Sequence, residues 1–397
     1  MMEKIKERAE ELKQDMIEVR RDLHMHPEAG FEEFRTSEMV AKKLKSLGIE
    51  VETGVAETGV VGLLRGQQPG KTIALRADMD ALKMDEENPD LPYASKKPGV
   101  MHACGHDGHV AMLLSAARIL AEMKEDLKGN VKFIFQPAEE GVRGGGAKVM
   151  VEEGALEDPK VDAIAAVHIW ASMPIGEIAL KEGPMMAASD SFTAEIKGRG
   201  GHGAAPQDCI DPILTASHVV TSLQSIISRE IKPVDSAVIT VGTFHAGTAN
   251  NIIAEKAVLE ATVRSLDPDI RKMLPKRVEE IIKGTTNAFR ADYELDYRLG
   301  YPIVQNDKQV TALLDEAASD VLGADKVNYP PHPVMGSEDF AYYLEKVPGS
   351  FAFLGAGNPD KNTGQAHHPK YNFDEDVLPL GCAILSQAAF RFLNENK

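Results

Sequence analysis

The sequence predicts an α/β chain, a mostly parallel, helix-covered sheet interrupted by a smaller inserted domain of β-α-β-β-α-β order. Up to Pro184, apolar and β-prone runs of strand length alternate with helical stretches, and each run opens directly into polar, chemically capable residues. From Pro184 the pattern tightens into closely spaced strands with two helices among them. Past Tyr301-Pro302 the first pattern returns.

Each element follows from local patterning. Residues 3–23 show helical periodicity with mixed charges, and residues 35–47 form a second amphipathic helix stopped by Gly48. Thr72–Leu75, Val131–Phe135 and Ala163–Val167 are strand runs. They lead into Arg76-Ala77-Asp78-Met79-Asp80, Gln136-Pro137-Ala138-Glu139-Glu140 and His168-Ile169-Trp170, with a helix at Val110–Met123 between. Carboxyl ends of parallel strands converge on one crevice, so these three clusters are expected to be neighbours in space. In the inserted part, Phe192–Ile196, Ala237–Phe244, Lys256–Arg264 and Tyr293–Leu299 read as strands. Pro212–Ile227 and Asp269–Phe289 read as helices. The economical organisation is one domain in two pieces, 1–183 and 300–397, around an inserted domain at 184–299.

Composition narrows the function classes. The 397 residues are 43% hydrophobic and 26% charged, enough for a sizeable core in two or three domains. A formal charge of -17 repels phosphate backbones and anionic lipid, so neither nucleic acid nor membrane is expected as a partner. Cys104, Cys209 and Cys382 are too few and too scattered for a disulfide framework and fit a reducing compartment. The charged start of the chain lacks the apolar core of a secretory signal, and no run approaches the roughly 18 apolar residues of a membrane helix. A cytoplasmic protein is the expectation.

The chemistry concentrates in a few places. Met101-His102-Ala103-Cys104-Gly105-His106-Asp107-Gly108-His109 packs three histidines, a cysteine and a carboxylate into nine residues. Thiolate and imidazole suit borderline transition metals, and a glycine between Cys104 and His106 permits the turn that aims both at one ion. His102 and His109 are weaker candidates. Glu139 and Glu140 lie between a strand and a glycine-rich stretch, Gly144-Gly145-Gly146, expected to be a loop rather than a helix. In such a loop adjacent carboxylates can point apart, one to a metal and one to a proton, a division that metal-assisted amide hydrolysis requires. His168 and His367-His368-Pro369 complete a donor set too large for one tetrahedral ion, which points to a pair.

Taken together, Arg76-Ala77-Asp78-Met79-Asp80-Ala81-Leu82, His102-Ala103-Cys104-Gly105-His106-Asp107, Glu139-Glu140, Gly200-Gly201-His202-Gly203 and His367-His368-Pro369 resemble the aminoacylase, hippurate hydrolase and auxin-conjugate hydrolase branch of the di-metal metallopeptidases. The resemblance spans nearly the whole chain. It implies a zinc-peptidase-like catalytic domain with a ferredoxin-like α+β insert serving as lid and dimerisation domain. Cys104, His106, Glu140, His168 and His367 would hold two divalent ions, with Glu139 as general base and later acid. Asp78 and Asp107 would accept histidine N–H groups and fix their tautomers. His202 would stabilise an oxyanion across a dimer interface, while Asn251 and Arg264 would hold the substrate. The wider family often has His-x-Asp where this chain has Arg76-Ala77-Asp78, and Cys104 takes the place of the missing histidine. Sulfur favours zinc, cobalt or nickel, and the oxygen and nitrogen donors also admit manganese. The implied reaction cleaves the amide of an N-acyl amino acid, releasing the free amino acid and a carboxylic acid, in a homodimer or homotetramer. Dipeptidase or carboxypeptidase action is the alternative within the class. A thiol amidase using Cys104, or a non-catalytic metal carrier, would leave most of this donor set or Glu139 without a task. The segment His24-Met25-His26-Pro27-Glu28 also matches the branch but reads as a helix end rather than a site.

Overall fold

The computed structural model describes residues 1–361 and 364–394. The chain divides into two compact units. One comprises Met1–Met185, Gln305–His332 and Asp339–Lys397; the other comprises Met186–Val304 and Pro333–Glu338. The short return of Pro333–Glu338 to the inserted unit has no counterpart in the sequence reading, which left that stretch with the larger domain.

The larger unit opens with α1 (Met2–Glu11), α2 (Lys13–Met25) and α3 (Phe34–Ser46). The single helix expected over 3–23 is two, because the backbone relaxes to φ -86, ψ 0 at Leu12. There follow β1 (Glu50–Val55), β2 (Gly59–Arg65), β3 (Gln68–Asp78), α4 (His106–Glu122), β4 (Lys128–Gln136), α5 (Gly146–Glu152), β5 (Ala163–Pro174), β6 (Ile178–Ala179) and β7 (Gly183–Met186). The inserted unit contributes β8 (Ala188–Lys197), β9 (Gly201–His202), α6 (Pro212–Ser225), β10 (Ala237–Ala246), β11 (Ile252–Ile253), β12 (Lys256–Ser265), α7 (Pro268–Ala288) and β13 (Asp292–Tyr301). The chain returns through β14 (Val304–Asn306), α8 (Lys308–Leu322), β15 (Val327–Asn328), α9 (Ala341–Leu344), β16 (Gly349–Gly357) and α10 (Leu378–Asn394).

The large sheet has eight strands in the order β1-β2-β4-β3-β5-β16-β6-β15. It is mixed. β4, β3, β5 and β16 run parallel through its middle, whereas β1, β2 and β4 pair antiparallel at one edge. The middle strands are buried on both faces, which is why they read as continuous apolar runs. Among the described residues, α10 and the turn before it form one stretch, Glu375–Asn394, long and apolar enough to cross a membrane by composition. Its Cys382, Ile384, Leu385, Ala388 and Ala389 lie in the core, with residues of α1, α4 and the sheet. Burial within the fold explains its composition.

The inserted unit is a four-stranded antiparallel sheet of order β10-β12-β8-β13. Phe192, Ala194 and Ile196 of β8 and Leu259, Ala261 and Val263 of β12 alternate inward and pack with Leu223 of α6 and Leu274, Val278 and Ile282 of α7. Asp211 and Asp267 cap these two helices, each accepting two first-turn amide N–H groups.

Candidate active site

The larger unit gathers its reactive residues where the central strands end. β3 delivers Asp78, and Met79-Asp80 follow as it leaves the sheet. β4 delivers Gln136 and the turn Pro137-Ala138-Glu139-Glu140. His168 does not sit at a strand end as expected but within β5. The pairing of β5 with β3 stops at Arg76–Ala166, so His168 lies just past the point where its neighbour departs. Gly105 is the N-cap of α4 with φ +98, and a Cβ there would come within 2.7 Å of the Tyr371 hydroxyl. This left-handed turn places Cys104 and His106 on either side of one bend. His367, in the loop after β16, has φ +63, and its amide N–H donates to Ala103 O at 2.8 Å.

The side chains converge. Cys104 Sγ and His168 Nε2 are 3.6 Å apart, and His367 Nε2 lies 3.4 Å from Glu140 Oε1. His106 Nε2 is 3.9 Å from both Glu139 Oε2 and Glu140 Oε1, and 3.7 Å from Asp78 Oδ2. The donor atoms of Cys104, His106 and Glu140 all lie within 4.8 Å of one another, as do those of Asp78, His106, His109 and His168. Main-chain carbonyls face Nδ1 of two of the three candidate histidines: His106 Nδ1–H donates to Asp80 O at 2.9 Å, and His168 Nδ1–H to Ile169 O at 2.8 Å. Each Nε2 is thereby turned toward the cluster.

The carboxylates Asp78 and Asp107 do accept histidine N–H groups, but from histidines other than these. Asp78 Oδ1 accepts from His109 Nδ1 at 2.5 Å, while His109 Nε2 accepts the Ile169 amide at 2.8 Å. Asp107 Oδ2 accepts from His24 Nδ1 at 2.8 Å and pairs with Arg20 Nε at 3.0 Å. The end of α2 is therefore more than a helix end. His24 is fully buried and braces the first turn of α4, a bond 83 residues apart in sequence that no local signal announces. The glycine stretch after Glu140 also differs from expectation: α5 begins at Gly146, whose α-carbon faces Pro137 O so closely that a Cβ would lie 1.9 Å from it.

Electrostatics follow from burial and neighbours. Burial works against the charge on Asp78, yet His106, Arg76 and His109 hold its carboxyl well below the usual range. Burial likewise opposes a proton on His106, and Asp78 and the Cys104 thiol outweigh it, raising the imidazole. Burial and the neighbouring His109 lower His168, leaving it neutral. The neighbouring Cys104 and Glu140 raise His367 to about 10. Burial, then Glu140, pushes the Cys104 thiol up. A thiol so placed is a poor free nucleophile, which argues against a thiol amidase.

The residues fit a bound divalent cation. Among the described residues, His106 Nε2 and Glu140 Oε1 are buried without a hydrogen-bond partner, a costly state for polar atoms unless an ion completes them. The donors offered are sulfur, imidazole nitrogen and carboxylate oxygen, a set suited to borderline metals.

Three expected site residues lie in the inserted unit. His202 is exposed in the β9–β11 ribbon, where it pairs with Ile252, and its Nδ1 accepts the Ala204 amide at 3.0 Å. Asn251 adjoins it, its carbonyl accepting the Gly203 amide at 2.8 Å. Arg264 stands apart on β12, opposite Ser189 of β8 and Val238 of β10. It is half-buried, and its Nη1 lacks a hydrogen-bond partner among the described residues.

Thiol, imidazole and paired carboxylates brought together beside an α/β sheet suit a metal-dependent hydrolase of amide bonds. Residues 74–391 match the family described as Peptidase family M20/M25/M40, and the chain belongs to that family. It is 42% identical over 398 residues to thermostable carboxypeptidase 1 of Saccharolobus solfataricus, covering 100% of each chain. It is 41% identical over 387 residues to the N-acetyl-L-cysteine deacetylase of Bacillus subtilis, covering 97% of this chain and 90% of the relative. A crystal structure of a Bacillus subtilis protein described as a dinuclear metal binding peptidase from the M20 family superposes with TM-score 0.84. It shares 34% identity and covers 98% of this chain and 100% of that one.

Proposed function

We propose that this chain is a two-metal amidohydrolase that cleaves the amide of N-acyl amino acids, releasing a free amino acid and a carboxylic acid. The observation that carries the reading is the convergence of Cys104, His106, Glu140, His168 and His367 beside Glu139, with buried donor atoms left over. The similarity to a deacetylase of an N-acetyl amino acid supports the substrate class. The similarity to a carboxypeptidase supports the second reading, hydrolysis of small peptides, which needs the same chemistry on an amide whose amine side carries a free carboxylate.

The roles divide by residue. Cys104, His106, Glu140, His168 and His367 would hold the ions, zinc, manganese, cobalt or nickel. Bound there, the ions would supply Lewis acidity to polarise the amide carbonyl and acidify water. Glu139, adjacent to Glu140, takes a proton from the attacking water and returns it to the leaving nitrogen. Asp80 Oδ1 and Oδ2 accept the Glu139 and Glu140 amides at 3.0 Å each and hold the two carboxylates' main chain in register. Arg264 and Asn251 would grip the substrate carboxylate, for which a guanidinium offers a bidentate, charge-assisted partner. His202 would stabilise the oxyanion from a second copy, with the inserted unit serving as lid and as the contact of a homodimer or homotetramer. The unpaired cysteines are in keeping with a cytoplasmic enzyme.

The test is a panel of N-acetyl amino acids, N-benzoyl amino acids and dipeptides, assayed after exhaustive chelation and again with manganese, cobalt or zinc restored. Hydrolysis is expected to vanish on chelation and return with metal, fastest on the acyl amino acids. Full activity in metal-free protein would overturn the di-metal reading, and a dipeptide optimum would favour the second one. Glu139→Gln should keep its metal and lose on the order of 10²–10⁴ in turnover.

A further inference from the structure

The turn that carries Glu139 is held by a second buried carboxyl, from a residue far from it in sequence. Glu33 immediately precedes α3, but it does not cap that helix. Glu28 does, accepting the amides of Arg35 at 3.0 Å and Thr36 at 2.9 Å. Released from that task, the Glu33 side chain turns inward and is fully buried. Its Oε1 accepts the Ala138 amide at 2.9 Å, and its Oε2 accepts the Thr58 hydroxyl at 2.5 Å. Ala138 has φ +55, a left-handed conformation that residues other than glycine, asparagine and aspartate adopt only under constraint. The next two amides, of Glu139 and Glu140, go to the two oxygens of Asp80. Three consecutive N–H groups are thus fixed by two buried carboxyls, and Glu33 holds the one at the strained residue.

We propose that Glu33 is the positioning residue for Glu139, fixing the left-handed main chain at Ala138 and with it the aim of the Glu139 carboxylate, one oxygen of which stands 3.9 Å from His106 Nε2. The proposal rests on the reading of Glu139 as the general base. Loss of the Glu33 acceptor frees the Ala138 amide while Asp80 still anchors the following two, so the expected damage is misaim of Glu139 rather than loss of metal. Burial, then the charge of Asp80, pushes the Glu33 carboxyl up to about 7. Oε1 remains an acceptor in either protonation state, so a neutral amide is a faithful replacement.

The experiment compares Glu33→Ala, Glu33→Asp, Glu33→Gln and Thr58→Val by kcat, KM, metal ions bound per chain and melting temperature. Misplacing a reacting group by about 1 Å can cost roughly 100-fold in rate. Glu33→Ala is therefore expected to lose between about 10- and 100-fold in kcat, with KM and metal content held. Glu33→Asp, whose acceptor is withdrawn by roughly 1.5 Å, should lose kcat in the same way and decides the matter if Glu33→Ala does not fold. Glu33→Gln should recover most of kcat. Thr58→Val keeps the Ala138 bond and should keep kcat even where it lowers the melting temperature. Undiminished kcat in the alanine and aspartate variants would overturn the proposal. So would a glutamine variant as slow as the aspartate one, a parallel loss of metal, or an equal kcat loss in Thr58→Val. Glu139→Gln assayed alongside separates the two readings: if it keeps turnover, the general-base assignment fails, and if only the Glu33 variants keep it, this inference alone fails.

Discussion

His106 and His109 stand one turn apart on α4, both buried, both beside Asp78, and their surroundings differ in one respect. Every ring nitrogen of His109 is spoken for, Nδ1 by Asp78 and Nε2 by the Ile169 amide. His106 spends Nδ1 on Asp80 O and has Nε2 left over, facing Cys104, Glu139 and Glu140. Burial and residue type therefore do not separate a structural histidine from a ligand. Between these two rings the difference is the nitrogen left over after hydrogen bonding, which His106 alone of the pair could give an ion.

The comparison can be broken at either histidine. The largest effect belongs to the unfinished side: His106→Ala and Cys104→Ala should each weaken metal binding by at least about tenfold, read by direct titration with cobalt or zinc. Cys209→Ala and Cys382→Ala, both buried thiols that belong to no donor group, should leave metal affinity untouched. Equal loss in all three cysteine variants would end the assignment. On the finished side, His109→Gln should keep metal binding within a few-fold and lose about 1–3 kcal/mol of stability, because buried Asp78 and the Ile169 amide lose partners. A His109 variant that is stable but cannot bind metal would invert the contrast.

The smallest effect sharpens the view of the turn nearby. Glu33 is raised to about 7 in the folded chain from an ordinary 4.5. Between these values the folded protein keeps a proton that the unfolded chain has released, so stability from this group falls as pH rises through that window. Glu33→Gln removes the titration. Its unfolding free energy should therefore gain on that of the parent protein between pH 5 and pH 8, by a difference on the order of 1–3 kcal/mol read by denaturant melts. An unchanged difference across that range would mean that Glu33 is not perturbed.

Much of the site was visible in the sequence because its chemistry is local. Cys104-Gly105-His106 stands just before a helix and Glu139-Glu140 just past an apolar run, and the placement of strand ends in an α/β sheet does the rest. The hairpin of β1 and β2 was not visible. Glycines at 54, 59 and 62 interrupt its pattern, and its antiparallel pairing departs from the alternation elsewhere. His24, Arg20 and Glu33 were missed for another reason. Each looks like an ordinary polar residue in or beside a helix, and each becomes legible only through partners at Asp107 or Ala138 brought in by folding. Donor counts of the kind that distinguish His106 from His109 are likewise a property of three dimensions alone.

The position of β16 carries a consequence for biosynthesis. It lies between β5 and β6 in the middle of the sheet, yet it is translated only after the whole inserted unit. At about 5–20 residues per second, a ribosome needs roughly 10–40 s to travel from β5 to β16. During that interval the nascent chain carries an apolar strand with an open edge and a half-built cluster lacking His367. Such an edge invites pairing with other chains, so the inserted unit lengthens the window in which the nascent chain is open to aggregation.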